Sequence, residues 1–485
     1  MTYYVFGIGG TGARCLESLI YLCAMGLGPE KLHPILVDPD TGNGNLCRTR
    51  ELIIKYKEIR DKVNYAPKDK GSFFYTDVLY QDTQNDDTTQ VRIPNVFNPN
   101  SDLPPGMNTL RHFIEYNTDL AATDSKYLAD LLFSSDEMDM DMAQGYRGVP
   151  SIGSVLMTNV QKHPFWQVLK AALQNDLDSK VFIFASVFGG TGASGYPVIS
   201  QLLKMASKTS RIGGALLLPY FKLPDPKNLI NQINNLEQEK VLPDSNSFMI
   251  NAKAACEFYQ NNFSGIDSNY VLGDDLDNCM QYENYSIGSK DQKNDAHMIE
   301  MIAAYAAVDF WEKTEDNYKT FYQIQVNNPT DSEPSSTDII AKDIPHIKKG
   351  LIFERFSLLF HYVKELYDQM DKSNSNLLDK VAWLRDLKYR GNDVVRDRNE
   401  IKPLIEFCDS FKNWIHQTHT NRARLDILDP ELVLTCLVSQ NKEDYTKPPI
   451  NHIDTKLCGK HRSKSNLSEA LLKALSLAKI EKRGN

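Results

Sequence analysis

The chain has 485 residues, of which 41% are hydrophobic and 24% charged, and its formal net charge is −9. That length suggests roughly three folding units and suffices to bury a core without disulfides or a structural metal. The negative balance excludes a general nucleic-acid binder, which needs clustered Lys and Arg. No apolar run reaches the ~18–20 residues of a membrane helix. The N-terminal apolar stretch lacks a basic leader and is interrupted by Arg14 and Glu17, so no secretory signal is read. None of the eight cysteines forms a C-x-x-C pair. Zinc ribbons are therefore not expected, and scattered single cysteines fit a reducing, cytoplasmic setting.

Tyr3 to Ile8 is apolar, β-branched and aromatic, and reads as a buried strand running into glycines. Apolar residues at helical spacing follow, up to Gly26 and Gly28-Pro29. Pro34 to Val37 reads as a second strand, ending in Asp38-Pro39-Asp40. Strand, glycine loop, helix, strand is the pattern of a parallel-sheet crossover. Residues 60–145 read as an insertion: they are polar and Pro/Asn-rich, with a helix near Ser125–Phe133 and an acidic run over Asp136–Asp141 that suits a solvated face.

Periodicity then sharpens. A helix is predicted over Pro164–Leu173 and a buried strand over Val181–Ala185. After a second glycine run, a helix is read over Val198–Met205, then strands over Gly213–Pro219 and Asp267–Leu272. A long apolar helix is predicted over Ala296–Trp311. Helical patterns then dominate, over Phe353–Met370, Leu377–Leu387 and Leu404–Ile415. From Lys456 to Asn485 the chain carries eight Lys/Arg against two Glu, with an amphipathic helix over Leu467–Ile480. This tail reads either as a solvated helix or as a segment that docks on a partner or a membrane surface.

The chemistry is carried by two glycine loops. Gly7-Ile8-Gly9-Gly10-Thr11-Gly12 lies between the first strand and helix, a G-x-G-x-x-G spacing in which backbone N–H groups can approach a phosphate. Asp38 stands where a ribose ligand would sit in a dinucleotide fold. Gly189-Gly190-Thr191-Gly192-Ala193-Ser194-Gly195 again joins a buried strand to a helix. Two such loops on one sheet can converge on one polyphosphate, with the Thr191 and Ser194 hydroxyls as extra donors.

This pair resembles the tubulin/FtsZ superfamily, in the manner of its divergent prokaryotic members. Gly7–Gly12 is similar to the family's G-x-G-G-x-G loop. Phe188–Gly195 approximates its G-G-G-T-G-[ST/A]-G signature, with Phe188 in place of the first glycine. Val37-Asp38-Pro39-Asp40 is similar to its acidic loop, and Gly148-Val149-Pro150-Ser151-Ile152-Gly153 to its γ-phosphate-sensing loop. The resemblance spans about residues 3–312. It implies an α/β, Rossmann-like GTPase domain with a parallel sheet (1–290), a long central helix (291–313), a mostly helical C-terminal region (314–455) and a basic tail (456–485). It implies GTP with Mg²⁺ as ligands, hydrolysis, and self-association into filaments or a nucleotide-dependent complex.

By the same resemblance, Gly7, Gly9, Gly10, Thr11, Gly12, Gly189, Gly190, Thr191, Gly192 and Ser194 would hold phosphates, with Pro150, Ser151 and Gly153 at the γ-phosphate. Asp40 would lie near Mg²⁺, with no metal held directly by the protein alone. The base would be read by Asn294, with Asp295 and His297 as alternatives.

The chain also departs from the family. Arg14 replaces an asparagine and would contact phosphate or ribose, or face solvent. Leu223-Pro224-Asp225-Pro226-Lys227 replaces the ribose clamp, leaving Asp225 as its acidic group. The N-x-D-x-x-[DE] hydrolysis pattern is absent after Trp311, where Glu315, Asp316 and Asp331 are the acids available.

Two other readings remain. Gly7–Gly12 with Asp38, Asp40 and Asn45-Leu46-Cys47-Arg48 also resembles the adenylating domain of ubiquitin-activating-type enzymes, which bind ATP. A non-catalytic nucleotide-dependent scaffold is the third reading, its helical half or basic tail holding an unidentified protein partner.

Overall fold

A computed structural model describes residues 1–80, 93–101, 103–104, 106–118, 123–225, 241–262, 265–274, 279–282, 288–313, 398–420 and 467–477, together with 359 and 363. The chain divides into two compact units. The first comprises Met1–Ser18, Leu32–Arg50 and Leu79–Thr320, and the second Leu19–Lys31, Glu51–Val78 and Phe321–Asn485. The catalytic candidates Glu315, Asp316 and Asp331 lie outside the described residues, as do the helices expected over Phe353–Met370 and Leu377–Leu387, apart from Leu359 and Val363.

The elements follow in chain order. They begin with β1 (Tyr3–Ile8), α1 (Gly9–Ala24), β2 (Lys31–Val37), α2 (Gly44–Arg60), β3 (Asp77–Val78) and β4 (Val96–Phe97). The insertion contains α3 (Leu110–Phe113), α4 (Thr123–Leu132) and α5 (Ser135–Met138). Then come α6 (Pro150–Met157), α7 (Phe165–Asn175), β5 (Lys180–Ser186), α8 (Gly190–Ala206), β6 (Arg211–Leu217) and β7 (Phe221–Lys222). The remainder is α9 (Ser245–Asn262), β8 (Ser268–Leu272), β9 (Met280–Gln281), α10 (Met298–Glu312), α11 (Arg398–Thr420) and α12 (Leu467–Leu477).

The first unit is an α/β layer structure on a parallel sheet. Its strands run β2-β1-β5-β6-β8, with the short β4 beside β2, and every pairing is parallel. All residues of β1 and β5 are buried, as expected of strands covered on both faces. The two coverings are visible at neighbouring glycines of β6, whose absent side chains would point to opposite faces. A Cβ on Gly213 would meet the Phe310 ring of α10, and one on Gly214 the Tyr196 ring of α8. Helices α10 and α8 therefore lie on opposite sides of the sheet. Helix α1 shares the α10 face, since Arg14 reaches Glu300.

Helix α10 is buried from Met298 to Phe310. A helix apolar on all sides belongs in a core, and its two buried acids have partners: Glu300 binds Arg14, and Asp309 lies 3.4 Å from Lys313 and accepts from Tyr270. At its C-terminus, Lys180 donates to the carbonyls of Trp311 (2.8 Å) and Lys313 (2.7 Å), which would otherwise end the helix without donors.

Helix α8 begins eight residues earlier than the periodicity placed it, at Gly190 rather than Val198. The glycine run is its first two turns, and Pro197 sits within it. Small residues there permit backbone approach that side chains would forbid: a Cβ on Gly190 would lie 2.8 Å from Tyr146, and one on Gly192 2.6 Å from the Ser186 carbonyl. The acidic run of the insertion makes local bonds: Ser134 and Glu137 form a capping box, Asp139 pairs with Arg111 at 2.7 Å, and Asp141 caps Ala143.

In the second unit, α11 buries Ile401, Leu404, Phe407, Phe411, Trp414 and Ile415, a three-and-four spacing that puts them on one face. Tyr21 lies among Phe407, Phe411 and Trp414, with ring centroids 4.7–5.5 Å apart. Phe74 packs on Phe407 and Tyr56. Helix α12 lies against α11, with Leu471, Leu472 and Leu475 buried. The sequence offered a solvated tail or a docking segment. In the structure, residues 467–477 turn their leucine face onto the unit's own core.

Candidate functional site

The order β2-β1-β5-β6 contains a reversal. From β1 the chain crosses outward to β2 through α1, and from β5 it crosses the other way to β6 through α8. The reversal lies between neighbouring strands β1 and β5, whose helices start directly at their C-terminal ends on opposite faces. In open α/β sheets, this is where the crevice for a ligand forms.

Both glycine loops sit at that point. Gly9 (φ +71°) begins α1, and a Cβ there would lie 3.4 Å from Thr191 and 3.6 Å from the Gly192 nitrogen. The first turns of α1 and α8 are thus side by side. Gly7 and Gly12 serve a different purpose. A Cβ on Gly12 would come within 2.7 Å of the Gly7 carbonyl carbon and of the Phe184 carbonyl oxygen, so these two glycines let α1 press onto the sheet. Gly10, Thr11 and Gly189 are partly exposed at the mouth. Among the described residues, the hydroxyls of Thr11 and Thr191 have no hydrogen-bond partner.

Other expected phosphate residues stand differently. Ser194 is fully buried, and its hydroxyl donates to the Gly190 carbonyl at 2.8 Å. It packs against Gly153 of α6, where a Cβ would lie 2.3 Å from its oxygen. Ser194 thus packs α8 against α6, with its hydroxyl bonded within its own helix. Pro150 opens α6, Ser151 is exposed, and Gly153 is buried. Phe188, at the position of the missing glycine, packs on Phe248 at 4.7 Å and Phe221 at 5.5 Å.

At the end of β2, Asp38 is 4% exposed and accepts the Asp40 N–H through Oδ1 at 3.0 Å. Burial pushes its carboxyl up to about 8, with the Asp40 N–H opposing the shift and the Asp40 charge adding to it. Among the described residues its Oδ2 has no hydrogen-bond partner. Asp40 is raised by burial as well. Its Oδ1 takes the Gly42 N–H and its Oδ2 the Ser289 N–H. Among the described residues no cluster of three or more His, Cys, Asp or Glu could enclose a metal.

Arg14 is 2% exposed and faces no solvent, which removes that alternative. Its Nε lies 2.5 Å from Glu300, and its two terminal nitrogens donate to Tyr220 at 2.9 Å and to Asn294 Oδ1 at 3.3 Å. Asn294 also exchanges bonds with Asn45: its N–H donates to Asn45 Oδ1 at 2.9 Å, and its Oδ1 accepts from Asn45 Nδ2 at 3.1 Å. Arg48 pairs with Glu17 at 2.7 Å and donates to the Asn294 carbonyl at 2.8 Å. Asn45 and Arg48, the residues behind the adenylating-enzyme reading, are thus held inside the protein.

Asp295 and Asp225 are exposed. His297 is buried and caps α10: its Nδ1 accepts the Ile299 N–H at 3.1 Å, while Glu300 accepts the His297 N–H. Glu17, Glu300, Tyr220 and Asn45 were missed as members of this cluster. Only Asn45 had a signal, through its N-L-x-R context.

No family model matches the chain, and no curated protein matches it. Solved structures that resemble it include CetZ from Methanosaeta thermophila strain DSM 6194, at 12% identity and a TM-score of 0.30, covering 66% of this chain and 56% of that one. Another is CetZ2 from Haloferax volcanii, solved as a GTPgS-bound protofilament, at 12% identity and a TM-score of 0.28, covering 64% and 57%. The chain spans little more than half the length of either. No helix among the described residues is long and apolar enough to cross a membrane.

Proposed function

We propose that the first unit binds the polyphosphate of a nucleotide at the C-terminal ends of β1 and β5, that the nucleotide is GTP, and that the protein is a cytoplasmic, tubulin-like GTP-binding protein. The observation that carries this is the pair of glycine-led helix starts, on opposite faces of the sheet, meeting at Gly9 and Thr191. Each helix N-terminus presents unsatisfied N–H groups and about half a positive charge. Two together suit a ligand with several negative oxygens. Glycine at 9, 10, 189 and 190 removes the side chains that would hold phosphate away, and the Thr11 and Thr191 hydroxyls add donors.

Mg²⁺ would arrive with the phosphates and neutralise their charge, with Asp40 near it. Guanine as the base rests on the sequence resemblance and on Asn294, whose Oδ1 is fixed by Arg14 and Asn45 so that its Nδ2 is left to donate. Hydrolysis would need a positioned water rather than a covalent nucleophile. It is proposed together with self-association, in which the acids following α10 would act on the nucleotide of a neighbouring copy.

The test is thermal stability with GTP, ATP and NAD. A ligand at 100 times its Kd stabilises the fold by about 2.7 kcal/mol. Stabilisation by GTP above the other two supports the reading; stabilisation by ATP or NAD without GTP overturns it. Sedimentation with GTP and with a non-hydrolysable analogue tests assembly.

A further inference from the structure

Two arginines beside the first glycine loop are paired inside the protein. Arg14 is committed to Glu300 and Arg48 to Glu17, and the Asp40 carboxylate lies at the same end of the sheet. A polyphosphate bound there needs positive charge from elsewhere. The segment Gly288–Asn294 can supply it.

This segment is fastened along the β2–α2 loop. Ser289 N–H binds Asp40, Gly44 N–H binds the Ser289 carbonyl at 3.0 Å, and Asn45 N–H binds the Gln292 carbonyl at 3.2 Å. Asn43 Nδ2 donates to Gln292 Oε1 at 2.6 Å. The fit is close: a Cβ on Gly44 would lie 2.4 Å from the Lys290 carbonyl oxygen and 3.1 Å from the Lys293 Cβ. Two successive residues, Gly288 (φ +70°) and Ser289 (φ +61°), take the left-handed conformation that turns the segment into this position. For serine that conformation is uncommon, and it persists where surrounding bonds hold it. The same loop faces the phosphate mouth, since a Cβ on Gly10 would lie 3.2 Å from Asn45 Nδ2 and 3.7 Å from Asn43 Oδ1.

Lys290 and Lys293 are both exposed, and among the described residues neither ammonium group has an ion-pair or hydrogen-bond partner. They stand on a pinned segment, one loop away from Gly10, and each carries a flexible four-carbon stem ending in a point charge. We infer that Lys290 and Lys293 are phosphate-binding residues of this site, a cationic strap that supplies the charge which the internally paired arginines cannot. The inference rests on the proposal that a nucleotide polyphosphate binds at Gly9–Thr11 and Gly189–Thr191. It differs from that proposal in assigning part of the affinity to a segment that no glycine motif marks.

The experiment measures binding of GTP and of inorganic tripolyphosphate to the full chain by calorimetry across a series of salt concentrations. The double variant Lys290→Gln/Lys293→Gln is compared with wild type and with Lys162→Gln/Lys170→Gln, which removes the same charge from α7 and its approach. The strap variant is expected to bind both ligands at least about tenfold more weakly, with a shallower salt dependence and an unchanged melting temperature without ligand. Lys290→Arg/Lys293→Arg should keep binding within about threefold. Equal binding by the strap variant and wild type overturns the strap while leaving the nucleotide site standing, and so does an equal loss in the α7 variant. Absence of binding to wild type overturns both.

Discussion

Replacing Glu300 with glutamine removes one charge from a pair whose partners, Arg14 and Glu300, are 2% and 0% exposed. At an effective dielectric of about 20, unit charges at their 2.5 Å separation attract by about 7 kcal/mol. The cost of taking both charges out of water offsets much of this, but that cost remains for Arg14 when its partner is neutralised. Breaking a buried pair from one side costs about 3–5 kcal/mol. At roughly 2–4 °C per kcal/mol, the melting temperature of the first unit should fall by roughly 6–20 °C. Glutamine keeps the shape and can still accept from Tyr220, so the loss reports charge rather than volume. Arg14→Met should be of similar size, and Arg14→Met/Glu300→Gln together should cost only about 1–2 kcal/mol, because no unpaired charge is left. Urea unfolding of the four proteins closes the cycle. A coupling below about 1 kcal/mol would refute the reasoning, as would a Glu300→Gln variant as stable as wild type.

Four further outcomes are expected. Asp38, raised to about 8 in the fold from 3.8, favours the folded state when protonated; its contribution is full below pH 4 and is lost as pH rises through 8. Asp38→Asn should therefore gain on wild type progressively from pH 4 to 8, by a few kcal/mol in denaturant midpoints, and a constant difference would count against a buried, ionising Asp38. Gly12→Ala, whose Cβ would meet two backbone atoms at 2.7 Å, should cost about 1–3 kcal/mol by thermal unfolding; a neutral result would mean α1 does not press on the sheet. Leu472→Ala in α12 should lose about 2–5 kcal/mol from the second unit, whereas Leu131→Ser on α4, 82% exposed, should stay within about 0.5 kcal/mol. Hydrogen exchange separates these two cases, and slow exchange retained through α12 in Leu472→Ala would contradict its place in a core.

What could be read in advance follows the range of the interactions. Strands β1 and β5 were legible because burial on both faces requires unbroken apolar runs, and α10 because it is apolar all round. The placement of both glycine runs between strand and helix was legible for a similar reason, since it is a local pattern. The start of α8 was misplaced because glycine and serine have weak helix propensity, and tertiary packing against Tyr146, Ser186 and Ile8 overrides it. The role of Arg14 was not legible at all. Its partners Glu300 and Tyr220 lie 286 and 206 residues away, and nothing near position 14 announces them. Ser194 shows another long-range effect: its hydroxyl bonds back to Gly190 while it packs against Gly153 of α6, which nothing local to the motif announces.

The ring cluster around Tyr21 has a consequence for biosynthesis. Its partners Phe407, Phe411 and Trp414 are made almost four hundred residues later, and α12 later still. Chains fold from the N-terminus as they leave the ribosome, at roughly 5–20 residues per second. For tens of seconds, then, Tyr21, Tyr56 and Phe74 exist without the surface that will cover them. Contacts so distant in sequence also close slowly. The second unit is thus a late-closing assembly whose first-made pieces wait, aromatic and uncovered, for its last ones, and this is the interval in which a holding chaperone would find the nascent chain.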